Sequence, residues 1–145
     1  MRIAVLNGPN LNLLGQREPE IYGRTSLAEI EALVRDSARQ LDVEIQWFQS
    51  NHEGALVEAV QSLQGTADGA LINAAALTHS SLALRDALLA VRIPFVELHL
   101  SNIFAREPER RHSVIADLAL GMVTGFGEQS YILALQALIG RLRAA

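Results

Sequence analysis

The sequence predicts an α/β fold built on a parallel sheet, and two features of the chain lead to this expectation. Short apolar runs rich in β-branched residues alternate with longer segments whose apolar residues recur at helical spacing. The runs close in amide and small residues, as at Asn7-Gly8 and Asn73-Ala74. This alternation is typical of parallel strands joined by helices that cover both faces of the sheet.

The strands and helices follow in order along the chain. Strands are predicted at residues 2–7, 43–48, 69–76, 94–100 and 121–126. Helices are predicted from the capping box at Ser26 to about Leu41, and at residues 52–64, 80–91 and 128–142. The strand at 43–48 alternates in polarity, so we expect it nearer an edge. Long polar loops at 8–25 and 101–113 are typical of functional segments.

Right-handed crossovers leave few topologies for such a chain. We expect one flavodoxin-like, doubly wound five-stranded parallel sheet with the strand order 2-1-3-4-5, in a single catalytic domain over residues 1–145. In this fold a ligand binds beyond the carboxyl ends of the strands, near the switch point between strands 1 and 3.

Composition excludes several classes of chemistry. The sequence of 145 residues has no Cys, and all 12 basic residues of the Lys+Arg count are Arg. Thiol nucleophiles, thiolate metal sites, Schiff-base lysines and phosphate-loop lysines are therefore excluded. The net charge of −4 argues against a nucleic-acid surface, and no apolar run reaches membrane-helix length. Without Cys or a signal segment, we expect a cytoplasmic protein.

Polar side chains gather where three predicted strands end. At or after the carboxyl end of strand 1 stand Asn7, Asn10, Arg17 and Tyr22; strand 3 has Asn73, Thr78 and His79 there; strand 4 has Glu97, His99, Ser101, Asn102, Arg106 and Arg110. Carboxyl ends of parallel strands share one edge of the sheet, so these groups should meet. Amides, imidazoles and guanidiniums together predict a site for a neutral-to-anionic small molecule rich in hydroxyls.

The segment "VELHLSN" at 96–102 holds the best acid–base candidate. Side chains alternate along a strand, so Glu97, His99 and Ser101 point to one side. A carboxylate beside an imidazole fixes its tautomer and helps it to hold a proton for donation. The alternative is a core histidine satisfied by its neighbour.

Arg17 and Tyr22 form a second candidate pair, in the first long loop. A guanidinium within reach stabilises phenolate, so Tyr22 could act as a base. From spacing alone, a surface tyrosine stacked on an arginine is the more common arrangement. Loop closure over a substrate would also explain this segment.

The other charged candidates are ambiguous. Arg106, Arg110 and Arg111 could hold ligand oxygens or pair with nearby glutamates. Asp86 would ordinarily be an exposed helix charge. His52 and His112 are interpreted as surface residues, and no His/Asp/Glu spacing favours a metal site.

Five blocks in order give the sequence a family resemblance. They are "LNGPNLNLLGQREPEIYG", "QSNHEG", "INAAALTHSSLALRDAL", "ELHLSNIFAREPERRHS" and "GFGEQSY". Together they resemble the type II 3-dehydroquinate dehydratases over nearly the whole chain. The resemblance implies a flavodoxin-like fold, no cofactor or metal, and a homododecamer of four trimers. It also implies removal of water from 3-dehydroquinate, in the shikimate or quinate pathways.

The resemblance also assigns roles to residues. Tyr22 would take the C2 proton, with Arg17 as its electrostatic partner, and Asn10 would stabilise the enolate. His99 would protonate the leaving hydroxyl, oriented by Glu97. The substrate would be bound by the backbone N–H groups of Leu100 and Ser101 and by the side chains of Asn73, His79 and Arg110, with Asp86 reaching into a neighbouring subunit's site.

Two other classes of function stay open from the residues alone. One is a flavodoxin-like module that binds FMN or another anion without turnover. The first loop argues weakly against it, because Pro and Leu stand where a phosphate cradle rich in Ser and Thr would be expected. The other is a structural oligomer subunit without chemistry, which leaves the Arg17–Tyr22 and Glu97–His99 pairs unexplained.

Overall fold

The computed structural model describes residues 1–16 and 18–145, and of Tyr22 it describes only the backbone. Its five strands are β1 (Arg2–Asn7), β2 (Glu44–Gln49), β3 (Gly69–Asn73), β4 (Phe95–His99) and β5 (Gly121–Thr124). They form one parallel sheet in the order β2-β1-β3-β4-β5, which confirms the predicted fold class and strand order. The strand predicted near an edge, β2, is an edge strand.

The helices are α1 (Pro19–Tyr22), α2 (Leu27–Gln40), α3 (Glu53–Ser62), α4 (Leu82–Val91) and α5 (Gln129–Ala144). Two of them begin at serine caps, of which the capping box in the sequence predicts Ser26. The Ser26 hydroxyl accepts the backbone N–H of Glu29 at 3.2 Å, and the Ser81 hydroxyl accepts that of Leu84 at 2.9 Å. Among the described residues, none of the helices is long and apolar enough to cross a membrane.

Both faces of the sheet are covered by helices, as side-chain alternation requires. One face packs against α2 and α5, through buried residues that include Ile3, Val5 and Leu71. The opposite face packs against α3 and α4, through residues that include Leu6 and Ile72. Asn7 and Asn73, at the ends of β1 and β3, therefore face the layer of α2 and α5. Glu97 and His99, on β4, face the layer of α3 and α4.

The structure corrects the predicted end of the third strand. The prediction extends it to residue 76, but β3 ends at Asn73 and a 3₁₀ turn covers Ala75–His79. Ala75 has φ of 54°, a left-handed conformation that strand geometry does not allow. The Asn73 carboxamide oxygen accepts the Ala75 N–H at 3.3 Å and stabilises this turn. His79 is the last residue of this turn, which follows the carboxyl end of β3.

The first long loop contains two short elements that the sequence does not predict, a 3₁₀ turn at Leu11–Leu13 and the helix α1. Where this loop leaves β1, its first residue lies in close contact with the end of β3. The Gly8 N–H donates to the Asn73 carbonyl at 2.8 Å, and a Cβ at Gly8 would lie 2.3 Å from the Ala74 carbonyl oxygen. Glycine is therefore required there, and the close approach brings the loop to the carboxyl edge of the sheet.

Candidate active site

A cavity of about 150 Å³ lies at the carboxyl ends of β1, β3 and β4. Its described lining includes seven of the eleven residues that the sequence assigned to the site: Asn10, Asn73, His79, His99, Leu100, Ser101 and Arg110. Arg106, a weaker candidate, lines it as well. The cavity lies at the predicted switch point between the first and third strands. Distant parts of the sequence meet there because every parallel strand ends at the same edge.

Glu97 stands behind His99, on the face of β4 that the alternation predicts. The Glu97 side chain is fully buried, and its Oε2 lies 2.5 Å from His99 Nε2. Its other oxygen, Oε1, accepts the Ser113 hydroxyl at 2.8 Å. We call these three residues the carboxylate–imidazole chain. The pairing of Glu97 with His99 leaves Nδ1 as the ring nitrogen that can exchange a proton with a ligand.

His79 is held in one tautomer by a reciprocal contact with His112. His79 Nδ1 lies 2.6 Å from the His112 carbonyl oxygen, and His112 Nε2 lies 2.8 Å from the His79 carbonyl oxygen. Because a carbonyl oxygen only accepts, both of these nitrogens must carry hydrogen. Burial lowers the pKa of His79, against a smaller raising effect of the His112 carbonyl. The neutral ring then offers Nε2 as an acceptor for a ligand hydroxyl.

The floor of the cavity rests on a buried chain of neutral polar groups. Asn73 Nδ2 donates to the Tyr131 hydroxyl at 2.9 Å, which donates to Asn7 Oδ1 at 2.6 Å. Asn7 Nδ2 then donates to the Phe48 carbonyl at 3.0 Å. We call Asn7, Tyr131 and Asn73 the amide–phenol chain. Burial raises the pKa of Tyr131 far above its ordinary value, so the phenol keeps its proton.

The direction of the amide–phenol chain is fixed at both ends by backbone groups. The Ala75 N–H can only donate to Asn73 Oδ1, and the Phe48 carbonyl can only accept from Asn7. Every amide orientation between these ends is therefore determined. The second N–H of the Asn73 carboxamide is left over, so Asn73 presents a donor to the cavity.

Two arginines, Arg106 and Arg110, bring positive charge to the described lining of the cavity. Arg106 is mostly buried, and its Nη1 lies 3.4 Å from the Ser101 hydroxyl. Arg110 forms an ion pair with Glu107 while lining the cavity. A bond from its own backbone N–H and the Arg110 guanidinium hold the pKa of Glu107 below its usual value. The local ion pair predicted for these arginines is thus present at Arg110, and ligand contact by Arg110 stays a prediction.

Asn10 reaches the cavity through backbone geometry that the sequence did not reveal. It has a left-handed φ of 70°, and its N–H donates to Asn51 Oδ1 at 2.9 Å. Gln49 Nε2 also donates to that oxygen, at 3.2 Å, and to the Gly8 carbonyl at 3.2 Å. The segment after β2 therefore fastens the first loop in place.

Three other predicted site residues, Arg17, Tyr22 and Asp86, are not tested by the described lining. Tyr22 ends α1, but its side chain, like the whole of Arg17, lies outside the described residues. Asp86 is exposed on α4 and is not among the described lining residues of this chain's cavity. The roles of these three residues stay predictions.

Ser113, His112 and Tyr131 are polar residues near the site whose contacts sequence reasoning does not reveal. His112 is exposed, as its interpretation as a surface residue requires, but it has a partner in His79. Tyr131 lies in the apolar stripe of a predicted helix, so periodicity predicts that its ring is in the core. Nothing in the sequence around it indicates a role for its hydroxyl. The sequence signal for the Tyr131 hydroxyl is the pair Asn7 and Asn73, which end β1 and β3 and lie opposite each other in the sheet. Two buried carboxamides require a buried hydrogen-bond partner.

The fold and the cavity together define a class of protein. It is a doubly wound α/β protein whose small polar site holds arginines and a carboxylate-supported histidine at the carboxyl edge of the sheet. Among residues 1–16 and 18–145, no group of three or more His, Cys, Asp or Glu side chains is arranged to hold a metal ion.

Comparison with known proteins gives the family. The profile of the family described as dehydroquinase class II matches residues 1–139. A 3-dehydroquinate dehydratase from Synechococcus sp. (strain WH7803) is 59% identical over 143 residues, which cover 99% of this chain and 97% of the relative. One from Yersinia pestis (strain Pestoides F) is 54% identical over 140 residues, 97% of this chain and 93% of the relative.

A solved structure agrees with the sequence relatives. The crystal structure of type II dehydroquinase from Butyrivibrio crossotus DSM 2876 superposes with a TM-score of 0.93 at 40% identity, covering 95% of this chain and 97% of the other. The chain belongs to the class II dehydroquinase family. The resemblance and the enzyme class predicted from the sequence motifs are thereby confirmed.

Proposed function

We propose that this chain removes water from 3-dehydroquinate to give 3-dehydroshikimate, by anti elimination through an enolate and without a Schiff base. One observation supports this most. A histidine backed by a buried carboxylate, a second histidine held as an acceptor and two arginines meet in a single small cavity. Such a set can bind an anionic polyol and deliver one proton to it. Family membership indicates which anion that is.

Binding of the substrate follows from the polarity of each lining group. The backbone N–H groups of Leu100 and Ser101 would hold the carboxylate, with the positive charge of Arg106 close by. The neutral His79 ring accepts one ring hydroxyl through Nε2. Asn73 donates through its remaining N–H, and Arg110 donates to a further hydroxyl oxygen. Donors and acceptors are thus both available for a molecule whose hydroxyls need both.

The chemistry uses one base and one acid. Tyr22, as phenolate stabilised by Arg17, takes the proton from C2, and the electron pair moves into an enolate that Asn10 stabilises through a water. The C1–O bond then breaks as His99 gives its proton to the departing hydroxyl, so that water leaves and the C1–C2 double bond forms. Glu97 compensates the charge of the protonated ring and fixes its direction.

The wider setting follows the family resemblance. The reaction would serve the shikimate pathway to aromatic amino acids, or quinate use, in the cytoplasm. The chains would assemble as trimers and then as a homododecamer, with Asp86 completing the site of a neighbour. The absence of lysine agrees with elimination without a Schiff base, since an imine needs an amine.

The test is an assay of the purified protein with 3-dehydroquinate in the presence of EDTA, followed by the ultraviolet absorbance of the conjugated enone product. A rise that Tyr22→Phe reduces by about 10²–10⁴-fold, with the variant still folded, is the expected result. A flat trace from folded protein would overturn the proposed function. A flavin absorption band in the purified protein would instead favour the FMN-binding alternative.

A further inference from the structure

Glu97 has a partner on each carboxylate oxygen, and one of those partners has no role in the mechanism above. Oε2 bonds to His99, and Oε1 accepts the Ser113 hydroxyl at 2.8 Å. The carboxylate itself has no exposed surface. A buried carboxylate is sensitive to the loss of either partner, because water cannot replace the lost hydrogen bond.

The direction of the Ser113 bond is fixed by its surroundings. The backbone N–H groups of Ile115 and Ala116 donate to Ser113 Oγ at 3.2 and 3.0 Å. A hydroxyl has two lone pairs and one hydrogen, so these two donors leave Ser113 only its O–H to offer. That hydrogen must therefore go to Glu97 Oε1.

Ser113 is positioned independently of β4. The next residue, Val114, donates its N–H to the Thr78 carbonyl at 2.8 Å and accepts from Arg85 Nη1 at 2.8 Å. Ile115, which donates to the Ser113 hydroxyl, is fully buried among the side chains that face α3 and α4. The serine is thus held by the 75–79 turn and by α4, and it serves as a fixed reference for the carboxylate.

We propose that Ser113 is a positioning residue for acid catalysis: its hydroxyl fixes Glu97 so that Oε2 holds the Nε2–H of His99, and the ring's other nitrogen, Nδ1, is directed at the ligand to which it gives its proton. The inference rests on the proposed function for the role of His99 as acid. Without Ser113, Glu97 has only one hydrogen-bond anchor, and its carboxylate can rotate away from the line between Oε2 and Nε2. The imidazole then loses its fixed orientation, while the groups that bind the substrate are unchanged.

The first test is spectroscopic and needs no turnover. The His99 Nε2–H proton, in a 2.5 Å contact with a carboxylate, should give a downfield proton NMR signal that disappears in His99→Ala. We expect Ser113→Ala to move this signal upfield and to speed its exchange with water, and Ser113→Thr to retain it. Ser62→Ala, which removes an exposed helix hydroxyl bonded to the Ala59 carbonyl, is the matched control and should leave it unchanged.

The second test is kinetic. Ser113→Ala should lower kcat by about 10–10²-fold with KM nearly unchanged, as for other residues that orient a functional group, and Ser113→Thr should restore most of it. In a His99→Ala background, Ser113→Ala should have no further effect on the residual rate, because it acts through that ring. Ser113→Cys, which keeps the volume with a weak donor, replaces Ser113→Ala if the latter does not fold.

The outcomes separate this inference from the proposed function. An unchanged NMR signal and kcat in folded Ser113→Ala, or an equal loss of rate with and without His99, would overturn the positioning role. If the wild-type protein does not turn over 3-dehydroquinate but the His99 signal responds to Ser113, the positioning holds and the proposed function fails.

Discussion

The two buried polar chains at the carboxyl edge lie on opposite faces of the same sheet. The amide–phenol chain faces α2 and α5, through Tyr131, and is built only from neutral groups. The carboxylate–imidazole chain lies on the other face and contains two ionisable groups. Both start from backbone donors in a turn, at Ala75 in the first chain and at Ile115 and Ala116 in the second.

The two chains differ in where they end. The amide–phenol chain ends on the Phe48 carbonyl, which only accepts a hydrogen bond. Each hydrogen in the chain therefore stays on its donor atom, and the chain cannot transfer a proton. The carboxylate–imidazole chain ends at a ring nitrogen beside the cavity, so it can release a proton and take one up. A closed chain stabilises the site, whereas an open one can perform acid–base chemistry. Substitutions of Asn7 and Tyr131 should therefore affect stability, and substitutions in the carboxylate–imidazole chain should affect turnover. Substitution of Asn73 should affect substrate binding as well as stability.

The largest effect is expected for His99→Ala, which removes the open end of the carboxylate–imidazole chain. We expect kcat to fall by about 10²–10⁴-fold, the usual cost of losing a general acid. Steady-state assays, with thermal unfolding to confirm the fold, measure this. His52→Ala, at an exposed histidine that precedes α3, is the matched control and should keep the wild-type rate. Wild-type turnover in His99→Ala would remove the acid role.

Glu97→Gln should have the next largest effect, because it keeps the shape of the side chain but reverses one hydrogen bond. Ser113 requires an acceptor, so the amide oxygen would take the Oε1 position and the amide N–H₂ would face His99 Nε2. Two donors cannot pair, and the ring must change tautomer. We expect steady-state assays to show a loss in kcat of about 10–10²-fold. Full activity in the Glu97→Gln variant would mean that the tautomer of His99 does not matter.

Tyr131→Phe tests the other face. The phenol oxygen joins Asn7 and Asn73, and both amides would be left with an unsatisfied buried group. We expect the free energy of unfolding to fall by about 1–3 kcal/mol, with only a few-fold change in kcat. Urea unfolding and assays on the same samples check this. A large loss of kcat at unchanged stability would contradict the division between closed and open chains.

The pH dependence of His79 should be a smaller effect. Burial keeps its folded-state pKa below the ordinary value of 6.5, so the unfolded chain binds the proton more readily. Stability should therefore fall as the pH drops through about 6.5 and below, and no effect is expected well above it. Unfolding of the wild-type protein and of His79→Gln over a pH series isolates this effect. A wild-type stability that rises relative to the variant as the pH falls would show the opposite shift.

Ala75→Gly should have the smallest effect. Ala75 has a left-handed φ next to Asn73, a conformation that costs an L-residue about 1–2 kcal/mol. Glycine removes that strain but gains about 0.5–1 kcal/mol of unfolded-chain freedom, so we expect a net stabilisation under about 1 kcal/mol. Thermal unfolding measures it, and a clear destabilisation would mean that the Ala75 side chain contributes packing that outweighs the strain.

The strand order and the polar side chains of the described cavity lining could be predicted from the order of residues alone. Alternation of strands and helices leaves few topologies, and a parallel sheet brings every carboxyl end to one edge. Polar residues that follow strands, such as Asn73 and His99, can therefore be assigned to one site before any contact is known. Strand periodicity also placed Glu97 on the same side as His99. The Arg17–Tyr22 pair rests on the family motif, and it stays a prediction.

The residues that support the site are known only from contacts in the folded chain. Ser113 lies 16 positions from Glu97, His112 lies 33 from His79, and Tyr131 lies 124 from Asn7. No periodicity or motif spacing connects positions that meet through crossovers and long loops. The direction of each hydrogen bond depends further on which backbone groups are already paired. The sequence thus placed seven candidate site residues at one cavity, but their tautomers and hydrogen-bond polarity follow from contacts that exist only in the folded chain.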